Sequence, residues 1–216
     1  MAVHPSAAVR AHASDVLVWD PLVRLAHWVL VAGFAVAYLT GEEEGAPDTL
    51  HVWSGYGIGA VIVLRVLWGF VGSRHARFSD FVRGPIPSLR YLIDLPFGRA
   101  RRYLGHSPAG GAMVLVLLAF LAATVASGIV AYGEQGKGPL AIASAPPITS
   151  LSEQPGRNAE RKENGDSAVG ELHAALATMT LILVVLHVSG VALASIVHRE
   201  NLLVAMITGR KRANDR

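Results

Sequence analysis

The chain has 216 residues, of which 52% are hydrophobic and only 16% charged, well under the roughly 25% charge of average soluble domains. It has no cysteine, which excludes disulfides, thiolate-held iron–sulfur clusters and covalent haem attachment through C-x-x-C-H. A formal charge of +3 does not point to nucleic acid in so apolar a chain, because basic excess in membrane proteins collects in cytoplasmic loops. Residues 1–20 lack the apolar stretch of a signal peptide, and no small-residue cleavage site follows the first apolar run. That run is therefore expected to stay in the membrane.

Four apolar stretches are long enough to span, since about 20 helical residues cross roughly 30 Å of hydrocarbon. They run from about 22 to 39, 50 to 71, 108 to 132 and 171 to 197. The last exceeds what a span needs and is expected to tilt or project. Between them lie three loops of different charge. The first holds Glu42, Glu43, Glu44 and Asp48 and no basic residue, whereas the second holds Arg74, Arg77, Arg83, Arg90, Arg99, Arg101 and Arg102. The third, 133–170, is long and polar with Pro146, Pro147 and Pro155; it reads either as a docking surface for a partner or as a floppy linker. Within the second loop, Pro85 to Phe97 has the pattern of a short amphipathic segment, although an ordinary connector would explain it as well.

Placing both termini inside puts fourteen basic residues on the inner face: Arg10, Arg24, the seven loop arginines and Arg199, Arg210, Lys211, Arg212 and Arg216. Four remain outside: Lys137, Arg157, Arg161 and Lys162. That bias predicts an all-α, up-down-up-down bundle, N-in and C-in, in a bacterial inner membrane. The transmembrane domain would span 21–199, between a cytoplasmic tail of 1–20 and a basic cytoplasmic tail of 200–216.

Four histidines fall within or at the edges of the spans: His27, His51, His173 and His187. Ionisable groups at such positions are costly and mark functional sites. His173 and His187 are 14 residues apart, which at 100° per residue is about 40° short of four turns. They share one helix face, roughly 21 Å apart along the axis. His51 opens the second span at the outer side, level with His173. His27 lies about as deep as His187. The matching depths predict an outer pair, His51 with His173, and an inner pair, His27 with His187. Each pair can supply two axial nitrogens to a flat macrocycle between helices. Haem suits two separate pairs better than zinc, which wants about four converging ligands; spacing alone leaves copper or a mixed metal site open, although the spans offer no nearby Asp or Glu.

Other residues fit around these four. Gly55, Gly57 and Gly59 follow His51 in S-G-Y-G-I-G and would admit either a porphyrin face or a neighbouring helix. Arg65, 14 residues after His51, is placed to neutralise a haem propionate, with snorkelling to headgroups as the competing role. His4, His12, His75, His106 and His198 are expected mostly at the surface. His198 is a rival ligand by helical angle, but its neighbours Arg199 and Glu200 put it at the interface. The chain contains no H-E-x-x-H, P-loop or G-x-S-x-G.

The stretches V-W-D-P-L-V-R-L-A-H-W around His27, L-H-V-W-S-G-Y around His51 and R-V-L-W-G-F-V-G-S-R-H-A-R-F around Arg65 resemble the bacterial cytochrome b561 family. That family includes the b-type cytochrome subunits of nickel–iron hydrogenases. E-L-H at 171–173, L-H-V at 186–188 and H-R-E-N-L at 198–202 are similar as well. The resemblance implies a four-helix bundle with two bis-histidine b haems, the iron ligands being His27, His51, His173 and His187. It also implies electron exchange with membrane quinone and with a periplasmic redox partner, whether a hydrogenase, a cytochrome c or a small oxidant or reductant. The sequence leaves open whether the chain is itself a quinone-linked oxidoreductase and whether it forms a homodimer. Two other classes remain: a membrane anchor that docks a redox enzyme, and a haem-free, histidine-lined transporter.

Overall fold

The computed structural model describes residues 15–41, 49–141 and 167–213. The acidic first loop, most of the 133–170 loop and the N-terminal tail with His4 and His12 lie outside the described residues. Strand β1 (Asp15–Leu17) leads into helix α1 (Pro21–Leu39), followed by α2 (Thr49–Val71). A 3-10 turn at Arg74–Ala76 and two short helices, α3 (Phe78–Phe81) and α4 (Pro85–Asp94), fill the second loop. The long helices α5 (Pro108–Glu134) and α6 (Ala168–Val197) come next, then α7 (Leu202–Thr208) and strand β2 (Arg210–Arg212).

The helices begin where the sequence supplies caps. Asp20 accepts the Val23 amide at 2.8 Å ahead of Pro21. Ser107 accepts that of Gly110 at 3.1 Å ahead of Pro108, and Ser167 that of Gly170 at 3.0 Å. Each side-chain oxygen satisfies an amide that has no partner within its helix, and proline loses nothing at the first helical position. Four helices, α1, α2, α5 and α6, are long and apolar enough to cross a membrane. Their outward faces carry bare apolar side chains such as Leu67 and Phe70 of α2 and Leu186 and Ile196 of α6, as a lipid solvent requires.

The four do not pack equally. Ile58 and Ile62 of α2 interlock with Leu118 and Leu121 of α5, flanked by Leu30 and Phe34 of α1. No residue of α6 enters this core. Helix α6 runs along α5 and makes no comparable packing with α1 or α2. Thr180 is its one buried residue; its hydroxyl lies 3.3 Å from that of Thr124 on α5, a small polar contact of the kind that joins membrane helices. The side of α6 toward α1 and α2 therefore stands off from the apolar core.

One end of the bundle is closed by the short elements. Helix α4 buries Ser88 and Tyr91 and exposes Ile86, Leu89, Leu92 and Ile93. An exposed apolar flank edged by Arg83 and Arg90 is the pattern of a helix lying in a membrane interface. β1 and β2 pair antiparallel, with Val16 opposite Lys211. This clasp brings the two ends of the described chain together. Glu200 is buried beneath it, with Arg102 Nη2 at 2.6 Å and Lys211 Nζ at 3.2 Å.

Candidate haem centres

The structure brings the four span histidines together in two pairs. The rings of His51 and His173 have centroids 5.9 Å apart and are inclined at 85°. Those of His27 and His187 are 6.4 Å apart at 59°. Each pair joins α6 to the opposite side of the bundle, His187 to α1 and His173 to α2. With metal–imidazole bonds of about 2.0 Å and about 1.1 Å from ring nitrogen to centroid, two imidazoles on opposite faces of one iron have centroids about 6 Å apart. Both pairs have that spacing. Both also join α6 to α1 or α2, with which it makes no comparable packing, so the donor set fits a bis-imidazole haem. Among the described residues, no three His, Cys, Asp or Glu side chains converge as a metal cage would require.

Hydrogen bonds orient the pair far from the clasped end. His51 Nδ1 lies 2.8 Å from the Ala37 carbonyl of α1, and His173 Nδ1 lies 2.9 Å from the Thr124 carbonyl of α5. A carbonyl only accepts, so each Nδ1 carries the proton and each Nε2 keeps a free lone pair. This is the tautomer an iron ligand needs, and the second bond raises its basicity. Ser127 Oγ stands 3.3 Å from the same His173 nitrogen. Glycines give the rings room: a Cβ on Gly128 would lie 2.8 Å from His173 Cε1, and one on Gly41 would lie 3.2 Å from His51 Nδ1.

The glycine run after His51 divides by role. Gly59 meets Val125 of α5 and is a packing residue, whereas a Cβ on Gly55 or Gly57 would meet no atom within 4 Å. Gly55 follows His51 by one turn, on the same face. Arg65 does not snorkel: it is buried, with its guanidinium 5.4 Å over the Phe78 ring. Its Nη1 is enclosed without a hydrogen-bond partner.

The remaining histidines depart in part from the surface expectation. His198 caps α6, with Nε2 3.1 Å from the Tyr91 hydroxyl, and so stays clear of both pairs. His75 pairs with Asp80 at 3.2 Å. His106 is the correction: its ring packs 4.4 Å from Phe81 and 4.6 Å from Trp19, and its Nδ1 is sealed from solvent without a partner. Tertiary folding of Trp19 and α3 over the start of α5 encloses it, which no local pattern announces.

The sequence profile of the prokaryotic cytochrome b561 family matches residues 18–209. A probable Ni/Fe-hydrogenase B-type cytochrome subunit from Rhizobium leguminosarum bv. viciae is 26% identical over 144 residues, covering 50% of this chain and 58% of the relative. Its counterpart from Bradyrhizobium diazoefficiens is 26% identical over 145 residues, covering 55% and 58%. The chain thus covers less than two thirds of the length of these relatives. No solved structure matches. Membership of a b-type cytochrome family implies haem b and electron transfer in a membrane. With four apolar spanning helices and a profile match that runs from the cap of α1 to the end of α7, the chain is a multi-pass bacterial membrane protein and belongs to the prokaryotic cytochrome b561 family.

Proposed function

We propose that the chain is a di-haem b-type cytochrome that passes single electrons between membrane quinone and a redox partner on the outer side. The observation that carries this reading is the pair of facing histidine couples, each at the spacing of two trans imidazoles, on the side of α6 that stands off from the core. His51 and His173 would hold one haem, and His27 and His187 the other. Haem would supply a one-electron iron couple, held by these histidines. The chain's own residues do the rest. The Ala37 and Thr124 carbonyls fix the imidazole tautomers of His51 and His173. Arg65 offers a buried positive charge to a propionate. The count of basic residues supports a cytoplasmic clasped end, so the His51–His173 pair would face the periplasm. The relatives' names support a hydrogenase as the partner.

The test is reduction by a quinol analogue. Duroquinol added anaerobically to the purified, oxidised protein should reduce the haem α-band, with a slow reaction when His27 or His187 is replaced. A protein that dithionite reduces but duroquinol does not would refute the quinone-linked role.

A further inference from the structure

Among the described residues, the clasped end holds three buried polar nitrogens without a partner, on Arg24, Arg65 and His106, and the last two belong to one cluster. Nη1 of Arg65 and Nδ1 of His106 are both enclosed and unbonded. One aromatic cluster joins them: the Arg65 guanidinium lies over Phe78, Phe78 is 5.7 Å from Phe81, and Phe81 is 4.4 Å from His106, with Trp19 on the far side at 4.6 Å. A buried polar atom left unpaired is costly, and more so when charged. Two in one cluster therefore point to a shared acceptor.

The neighbours do not provide it. Asp20 is the acid whose charge acts on Arg65, but its oxygens are taken by the Val23 amide, the Trp68 indole and the Ser73 hydroxyl. Arg65 forms no ion pair among the described residues. Without an acceptor bound there, burial, then the positive charges of Arg65 and Lys211, push His106 down to about 3. A neutral imidazole beside a fixed guanidinium can donate through Nδ1 while Arg65 supplies charge and further donors. That combination fits a carboxylate. Arg65 lies 14 residues after His51 on α2, as His187 lies 14 after His173 on α6, so the cluster is level with the His27–His187 pair.

We propose that Arg65 and His106 together form a carboxylate site that holds a propionate of the haem between His27 and His187. This rests on the di-haem reading above and adds His106 to it as a positioning residue. Removing either donor leaves the propionate charge less compensated, which favours ferric over ferrous iron.

The experiment is a redox titration of the α-band of the whole protein in detergent, with haem counted per chain. His106→Leu and Arg65→Gln should each keep two haems and lower the midpoint of one. The haem that shifts should be the one missing from His187→Ala, while the other haem titrates as before and reports an intact fold. His106→Gln keeps a donor and should restore most of the midpoint. Two haems with unchanged midpoints in both variants, a shift in the other haem, or a glutamine variant that behaves like leucine would each overturn the site. An unsubstituted protein without two haems would instead overturn the reading on which it rests.

Discussion

Replacing His187 with alanine should halve the haem content, from the proposed two per chain to one, and the haem that remains should be the one on His51 and His173. His187 sits in the middle of an apolar helix, and the ring that faces it is His27 at 6.4 Å. Without it only His27 would remain to hold a haem there, because a methyl group supplies no ligand. The other pair should be indifferent. It lies 14 residues away on α6, about 21 Å along the axis, and its ring orientations depend on Ala37 and Thr124. His173→Ala should give the mirror result. A pyridine haemochrome assay reads both counts. Retention of two haems by His187→Ala would show that the pairing is wrong.

Glu200→Ala should open the clasp that closes the arginine-rich end. Glu200 and Lys211 have side chains only 6% and 4% exposed, and Arg102 completes the group. Lys211 also donates to the Tyr103 carbonyl at 2.9 Å, so the group ties β2 to the segment ahead of α5. Removing the shared carboxylate leaves a buried ammonium with its charge unmatched. Breaking a buried pair in this way costs about 3–5 kcal/mol. For Glu200, burial raises the carboxyl, but the Arg102 hydrogen bond and the nearby Lys211 charge outweigh it and hold it below the ordinary 4.5. Lys211 shifts down as well, because burial outweighs the one carboxylate it shares. A carboxylate held below its unfolded value contributes stability that is present above that value and lost as pH falls through the folded one. Hydrogen exchange across β1 and β2 should therefore be slow at neutral pH in the unsubstituted protein and speed up only below about 4.5. In Glu200→Ala it should be fast already at neutral pH. Equal protection in the two proteins would show that the strand pairing holds without the ion group.

The long helices were legible because lipid imposes a simple rule on sequence, a run of about 20 apolar residues for each span. The caps at Asp20, Ser107 and Ser167 set their starts within a few residues of the expected bounds. The histidine pairs were legible because helical periodicity converts spacing into depth and face. His27 and His187, 160 residues apart, meet as depth alone implied. Three features were not legible. β1 and β2 are three residues each and lie nearly the whole chain apart, so no local alternation marks them. The space Gly128 leaves for His173 depends on how α5 and α6 rotate against each other. His106 sits ahead of Ser107 and Pro108, where a helix starts at an interface, and such residues are usually wet. That position was the available signal, but it points to the surface. Only the approach of Trp19 and Phe81 encloses the ring.

The most direct test of the central claim is a visible spectrum of the purified protein from haem-replete cells, oxidised and then dithionite-reduced, with haem counted per chain. The two histidine pairs predict a sharp reduced α-band and two b haems per chain. A colourless protein, or one that saturates at a single haem, would contradict them.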